Sequence, residues 1–260
     1  MSAGQGAGTL IISIDLELDV DHHDDRLDGQ LDAVRSQLLE LTGQFRLPAT
    51  WAVADPLLSA ATESIVAAKH GHEIAVLGEQ AWVGPGCGRV RLRRELVRRF
   101  TAARKAGINV STLALRNAYQ VPDLDLLLEH GVTALRDAVK ASSPARYKAL
   151  TPPVRFGLWQ PPAARPLVAN KGWRFVEMWR TRREIRKCIR RRQMLHLQLD
   201  AAALAAAPEP IVAVVIPTLS YIASKRDAGQ LTVRTIAELA KDALNERAGL
   251  PSRSILRPAA

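Results

Sequence analysis

The chain has 260 residues, of which 47% are hydrophobic and 24% are charged, and its formal net charge is +10. These values are typical of a globular domain and exclude a chain dominated by disorder. With only two cysteines, Cys87 and Cys188, the sequence indicates neither a disulfide framework nor a thiolate metal site. The N-terminal residues lack a basic region, and the apolar run that follows is too short to cross a membrane. We therefore expect a cytoplasmic protein without a signal peptide or a transmembrane segment.

Apolar runs typical of strands alternate with helical patterns along the chain. The predicted strands are residues 10–14, 49–54, 73–77, 110–115, 133–135, 155–159, 194–199 and 211–216. The predicted helices are residues 31–42, 56–69, 90–105, 123–130, 182–192 and 233–248. This alternation predicts an α/β fold, a parallel sheet with crossover helices that closes into a barrel. We interpret residues 9–250 as one barrel domain between a flexible N-terminus, residues 1–8, and a C-terminal tail, residues 251–260.

The first predicted strand ends in acidic residues. Asp15, Glu17 and Asp19 alternate with Leu16 and Leu18, so the three carboxylates share one face of an extended chain. A carboxylate at the end of a buried strand must be paired, hydrogen-bonded or bound to a metal. In α/β folds, this strand end is also where ligands bind. The alternative is an edge strand with solvated acids.

Two arginine-rich runs carry much of the positive charge. In residues 89–99 the arginines interleave with leucines as on the wet face of an amphipathic helix. A denser segment begins at Arg180 and ends at Arg192, and it favours an anionic ligand or surface, with a basic helix face as the alternative. Because it immediately precedes the strand that carries His196, we expect a bound anion to lie near the pocket rim. No nucleic-acid-binding module accompanies either run, so nucleic acid is not an expected partner.

Five short motifs, in order, resemble those of the polysaccharide deacetylases of the NodB-homology type. They are Ser13-Ile14-Asp15-Leu16-Glu17, Pro48-Ala49-Thr50-Trp51-Ala52-Val53, Gly71-His72-Glu73-Ile74-Ala75, Arg116-Asn117-Ala118-Tyr119 and Leu195-His196. The resemblance implies a deformed (β/α) TIM-like barrel that removes an acetyl group from an N-acylated carbohydrate. In that family a divalent metal held by Asp-His-His polarises the acetyl carbonyl and a water molecule.

The resemblance also implies roles for individual residues. Asp15 would be the general base, Arg116 its orienting ion pair and His196 the acid that protonates the leaving amine. Such a division of labour suits an amide, which needs both an activated nucleophile and a protonated leaving group. Glu17, Tyr119 and Trp51 would contact the substrate.

The sequence departs from this family at the metal ligands. The positions that correspond to the ligand Asp and the two ligand His hold Leu16, Leu77 and Ala81, none of which can bind zinc. We therefore expect no metal at that position and no other cofactor. His72 aligns with the residue that leads into the histidine motif, and we interpret it as a hydrogen-bonded histidine at a strand start.

Three explanations of this departure remain open. The protein is a hydrolase that works without a metal, or it has a relocated metal site, or it is an inactive barrel that still binds sugar or anions. The relocated site would use the cluster after the first strand, although a solvated acidic loop fits its spacing better. That cluster consists of Glu17, Asp19, Asp21, His22, His23, Asp24 and Asp25.

Overall fold

The computed structural model describes residues 7–16, 25–68, 70–117, 120–138, 154–167 and 174–248. The strands are β1 (Gly8–Asp15), β2 (Thr50–Val53), β3 (Glu73–Gly78), β4 (Val110–Leu115), β5 (Ala134–Arg136), β6 (Val154–Arg155), β7 (Leu158–Trp159), β8 (Arg165–Pro166), β9 (Met194–Asp200) and β10 (Leu231–Val233). The α-helices are α1 (Asp25–Gln44), α2 (Ala61–Ala67), α3 (Gln80–Val83), α4 (Arg89–Leu96), α5 (Ala102–Lys105), α6 (Leu124–Glu129), α7 (Arg174–Arg191), α8 (Ala201–Ala206), α9 (Ile216–Asp227) and α10 (Ile236–Ala248). Two π-helical turns, Val97–Thr101 and Ile211–Val215, precede α5 and α9.

One curled sheet with helices around it forms the fold. Its strand order is β6-β7-β5-β4-β3-β2-β1-β9-β8, and β10 also pairs with β1. All pairings are parallel except the antiparallel pair β6 and β7. The prediction of a deformed (β/α) barrel is thereby confirmed. None of the helices in the described residues is long and apolar enough to cross a membrane.

Strand β1 lies at the centre of the sheet and is buried on both faces. Leu10, Ile12 and Ile14 belong to the large apolar cluster that the helices cover. Successive side chains alternate between faces, so Ser13 and Asp15 lie on the opposite face, inside the barrel. β9 pairs with β1 along its length, and Asp15 lies beside Asp200 at the carboxyl end of both strands.

A polar cluster around Glu73 lies at the amino-terminal ends of β2 and β3, away from Asp15. Thr50 donates a hydrogen bond to Glu73 Oε2 at 2.8 Å, and Thr112 donates to Oε1. The backbone N–H of Ala237, in the first turn of α10, also donates to Oε2, at 2.9 Å. A carboxylate is favourable at a helix N-terminus because it accepts hydrogen bonds from N–H groups that have no partner within the helix. Glu73 therefore joins α10 to this end of the barrel.

The early predicted strands are confirmed, but one of the later ones is wrong and another is interrupted by a turn. Residues 211–216 are helical, and they lead into α9 with Pro217 in its first turn. Their β-branched composition favours a strand, but as a helix they bury Ile211, Val214 and Val215 in the large apolar cluster. Residues 155–159 contain the last residue of β6, a two-residue turn and β7, with Phe156 in the turn at a φ of 50°.

The last arginines of the arginine-rich segment lie at the opposite end of the barrel from Asp15. Arg192 lies two residues before Met194, which pairs with Thr9 near the start of β1, whereas Asp15 pairs with Asp200 six residues later. At about 3.3 Å per residue, this register separates the two ends by roughly 20 Å. The expectation of a position near the rim of the pocket is therefore wrong for Arg190, Arg191 and Arg192. Arg180 lies about 16 Å back along the axis of α7 from Arg191, and binding of an anion to the segment stays a prediction.

Candidate functional site

A buried ion pair between Asp15 and Arg136 forms the centre of the site. Arg136 Nη1 donates to Asp15 Oδ1 at 2.6 Å, and Arg136 Nη2 donates to Oδ2 at 2.8 Å. The side chains are 8% and 1% exposed. Gln198 Nε2 donates a third hydrogen bond, to Oδ2 at 2.6 Å. Two-pronged arginine–carboxylate pairs of this kind fix orientation as well as charge, so the Asp15 carboxylate is rigidly held.

The partner of Asp15 is a residue that the sequence analysis does not single out. Arg116 was expected to orient Asp15, but the structure shows Arg136, the last residue of β5, in a bidentate pair with it. Arg116 follows β4, at the same edge of the sheet. Arg136 could have been identified from the sequence, because it is a charged residue directly after the mostly apolar run 132–135. It repeats the pattern of Asp15 with the opposite charge.

A chain of hydrogen bonds connects the ion pair to His196. Arg136 Nη1 also donates to Ser13 Oγ at 3.1 Å, and Ser13 Oγ lies 2.8 Å from His196 Nε2. His196 Nδ1 lies 3.1 Å from the carbonyl oxygen of Pro162, which can only accept. Nδ1 must therefore carry the proton, and the Ser13 hydroxyl donates to Nε2. The predicted base and acid thus share one network.

Burial keeps His196 neutral. Its side chain is 1% exposed, and desolvation together with the positive charge of Arg136 lowers its pKa from 6.5 to about 3. An imidazole of this pKa is protonated in only about one molecule in ten thousand at pH 7. This environment favours an orienting role of His196 over proton donation to a leaving amine.

Two further charged residues, Asp200 and Arg116, lie where strands end, at the same end of the barrel as the ion pair. Asp200 is exposed, and its carboxylate accepts hydrogen bonds from the backbone N–H groups of Ala202 and Ala203 in α8. The surrounding protein atoms desolvate the carboxylate and raise its pKa, and the charge of Asp15 raises it further. The charge of Arg116 has the opposite effect. Asp15, Asp200 and Arg116 therefore act on one another electrostatically.

Of the three predicted substrate contacts, the structure describes Trp51, which lies away from this site. Trp51 lies on the outer face of β2, is 1% exposed and lines a cavity of about 630 Å³ against α1 and α2. Glu17 and Tyr119 lie outside the described residues. Contact between these three residues and a substrate stays a prediction. The interpretation of His72 is confirmed, because its Nδ1 accepts a hydrogen bond from the N–H of Ala49 at 3.2 Å.

The residues at the positions of the family's metal ligands do not fit a divalent cation. Leu16 is buried in the large apolar cluster, and Leu77 packs in a small one with Ala52, Ala75 and Ala114. Ala81 offers no lone pair. Among the described residues, no three His, Cys, Asp or Glu side chains form a cluster that could hold a metal ion. The cluster proposed for a relocated site lies outside the described residues, apart from the backbone of Asp25.

The same architecture is found in solved structures of deacetylases. A putative polysaccharide deacetylase from Mycobacterium smegmatis superposes with a TM-score of 0.69 and 16% identity, over 100% of this chain and 98% of that one. The chain shares the fold of the polysaccharide deacetylases. A probable polysaccharide deacetylase from Pseudomonas aeruginosa PAO1 matches with a TM-score of 0.60 and 14% identity, over 92% of this chain and 91% of that one.

One further neighbour bears a different name. PuuE allantoinase matches with a TM-score of 0.58 and 13% identity, over 90% of this chain and 89% of the other. Neither a family model nor a curated protein matches the sequence. At such low identities the structural matches show the fold, and the function must be argued from the site.

Proposed function

We propose that the protein is a deacetylase-like protein of carbohydrate metabolism that recognises an N-acylated carbohydrate at the carboxyl end of its barrel. The observation that carries the proposal is the bidentate Asp15–Arg136 pair, in a barrel that the polysaccharide deacetylases share. In barrels of this kind, ligands bind at the carboxyl ends of the strands. Asp15 lies at that end of β1.

The polar groups at this edge suit a sugar. Asp200 is an exposed carboxylate, which can accept hydrogen bonds from sugar hydroxyl groups. Asp15 accepts three of the roughly four hydrogen bonds that a carboxylate can accept, which leaves about one for a ligand. Arg136 holds this acceptor in place, so ligand binding does not have to order it.

Hydrolysis of the acyl group is the second candidate. It is supported by the hydrogen-bonded path from Asp15 through Arg136 and Ser13 to His196, which joins the base and the acid implied by the family resemblance. The low pKa of His196 and the apolar residues at the metal-ligand positions favour recognition over this reaction.

Binding and acetate release measured in the same samples test the proposal. The ligands are an N-acetylated chitooligosaccharide and its de-N-acetylated form. We expect tighter binding of the acetylated form, a large loss in Asp15→Asn, a milder loss in Glu17→Gln, and no release of acetate. Asp242→Asn serves as the control, since Asp242 is an exposed carboxylate on α10.

The outcomes separate the two candidates. Acetate release that needs both Asp15 and His196 would establish hydrolysis in place of recognition alone. Equal losses in Asp15→Asn and Glu17→Gln would indicate that both carboxylates are ligands of a shared group. If neither form of the oligosaccharide binds, the proposal is wrong.

A further inference from the structure

A second pocket, lined by arginines, lies at the same edge of the barrel as Asp15. Its volume is about 560 Å³, and it is built from the residues that follow β3 and β4 and from one face of α4 and the π-helical turn after it. The charged residues that line it are Arg91, Arg98, Arg99, Arg116, Glu79 and Glu95.

The helical geometry explains why these arginines face the pocket. Arg91, Glu95 and Arg98 are spaced at i, i+4 and i+7, which places them on one face of a helix. Arg99 follows at i+8 and lies on the same face, one turn beyond Glu95. Arg98 and Arg99 both belong to the π-helical turn Val97–Thr101. Such turns are rare and often occur at functional sites.

Arg99 is built into the protein, whereas Arg91 and Arg98 on the same helix face are exposed. Its side chain is 8% exposed, and its guanidinium lies 4.9 Å from the ring centroid of Trp82. It also donates a hydrogen bond to the carbonyl oxygen of Ala54. The expectation that this arginine lies on the wet face of a helix is therefore wrong. A buried guanidinium held by an aromatic ring and a carbonyl is a fixed positive charge.

The indole of Trp82 forms part of the pocket wall. Trp82 is 2% exposed and lies under the guanidinium of Arg99. Its Nε1–H has no acceptor among the residues that the structure describes, as is also true of Trp51 and Trp159, so this property is not specific to the pocket. Because the ring lines the pocket, its N–H signal can still report on a ligand that enters it.

The charges around the pocket do not balance. Glu95 is shared, since its Oε2 lies 3.4 Å from Arg99 Nε and 3.7 Å from Arg98 Nε. Asp55 also pairs with Arg98, at 3.1 Å. Four arginines and two glutamates line the walls and Asp55 adds a third carboxylate, so one positive charge is in excess. A concave surface of one charge concentrates its field on a counter-ion.

We propose that this pocket binds the anionic group, a carboxylate or a phosphate, of an acidic N-acylated carbohydrate, an inference that rests on the proposed function. Arg116 lines the pocket and also acts electrostatically on Asp200, which in turn acts on Asp15. One ligand can therefore place its acyl group near Asp15 and its anionic group among the arginines. Ala81, which holds the position of one metal ligand of the family, also lines this pocket. The positive charge near that position is therefore supplied by guanidinium groups.

The test compares sugars that differ in one anionic group. N-acetylmuramic acid adds a carboxylate to N-acetylglucosamine, N-acetylglucosamine 6-phosphate adds a phosphate, and inorganic phosphate probes the pocket alone. Binding is measured by calorimetry and by the NMR signal of the Trp82 indole N–H, assigned with Trp82→Phe. We expect at least one acidic sugar to bind about tenfold or more tightly than the neutral sugar, and binding to weaken as salt is raised.

Variants on one helix locate the binding. Arg91→Gln/Arg98→Gln removes two exposed pocket arginines, whereas Arg93→Gln removes an exposed arginine that pairs with Glu129. We expect the double variant to lose the preference for acidic sugars and Arg93→Gln to keep it. Both are compared with the wild type by thermal unfolding.

Each result has a distinct meaning. If acidic and neutral sugars bind equally, the anion pocket is wrong and the proposed function stands. If no sugar binds but phosphate shifts the Trp82 signal only when the arginines are present, the pocket stands and the proposed function is wrong. An equal loss of the preference in Arg93→Gln would show nonspecific attraction and overturn the pocket.

Discussion

Arg136 on β5 reaches across the barrel to Asp15 on β1, although β2, β3 and β4 separate the two strands in the sheet. Both side chains are nearly inaccessible to solvent. Removing two charges from water is costly, and it is compensated only when the pair is well aligned and its other atoms are bonded. Gln198 and Ser13 each supply one additional hydrogen bond, and Arg136 Nε is left without an acceptor among the described residues.

Among substitutions in the barrel interior, those of this pair should lower the free energy of unfolding most. Asp15→Leu or Arg136→Met alone leaves a buried charge without its partner, and each should reduce the free energy of unfolding by about 3–5 kcal/mol. The double variant should lose less than the sum of the two. Urea unfolding of the four proteins measures the coupling.

An exposed pair on the same fold provides the comparison. Arg93 and Glu129 lie 3.1 Å apart, and each side chain is 53% exposed. Arg93→Met and Glu129→Leu should each change the free energy of unfolding by less than about 1 kcal/mol. Additive losses in the Asp15–Arg136 cycle would contradict the view that the two charges depend on each other.

His196 should make the protein sensitive to acid. Its pKa is lowered to about 3, so the unfolded chain takes up a proton below pH 6.5 that the folded protein does not. Above pH 6.5 this group therefore does not change the free energy of unfolding. As the pH falls from 6.5 toward 3, it lowers the free energy of unfolding. The loss from His196 is about 1.4 kcal/mol per pH unit across this window.

A variant isolates this contribution from those of other groups. His72 acts in the same direction, with a pKa lowered to about 4, whereas burial raises the pKa of Glu73 and opposes the loss. His196→Gln should show a smaller fall in the free energy of unfolding between pH 6.5 and pH 4 than the wild type, whatever its stability at pH 7. An unchanged slope would mean that His196 becomes protonated within the folded protein.

The local sequence predicts the centre of the sheet but not the pairings across it. Asp15 could be selected because a carboxylate interrupts an apolar run, and His196 because its motif resembles that of a known family. Arg136 could not be assigned as the partner of Asp15, because their contact depends on the curvature of a sheet with three intervening strands. Periodicity describes which face a residue takes, and it carries no information about which strand lies opposite.

Composition also misleads where tertiary packing decides the structure. Residues 211–216 are apolar and mostly β-branched, yet they are helical and bury Ile211, Val214 and Val215 against the cluster covered by the helices. The π-helical turn at Val97–Thr101 cannot be read from a period of 3.6 residues either. Both errors come from the assumption of regular geometry at positions where packing imposes another one.

The purified protein should carry no stoichiometric zinc at the position of the family's metal site. Leu16, Leu77 and Ala81 offer no lone pair, and the first two are packed in apolar clusters. Elemental analysis after dialysis measures the metal content. Near-equimolar zinc that disappears in His22→Ala/His23→Ala would contradict the expectation and establish a site in residues 17–25.

The arginines at the end of α7 lie on an exposed face of the helix. Trp179, Arg180, Arg190 and Arg191 are exposed, whereas Thr181, Ile185 and Cys188 on the opposite face are buried. Because Arg190, Arg191 and Arg192 lie at the far end of the barrel from Asp15, an anion bound by them does not share a ligand with the candidate site. We expect the segment to attract an anionic glycan or lipid surface by charge alone.

Replacement of Arg190, Arg191 and Arg192 by Gln should therefore weaken binding to vesicles that contain anionic lipid, with no effect on sugar binding near Asp15. Because exposed charges are screened over about 8 Å at physiological ionic strength, wild-type binding should fall steeply as salt is raised. Arg234→Gln, which removes a partly exposed arginine elsewhere on the surface, controls for net charge. Equal vesicle binding by the wild type and the triple variant at low salt would show that α7 has a basic face without a partner.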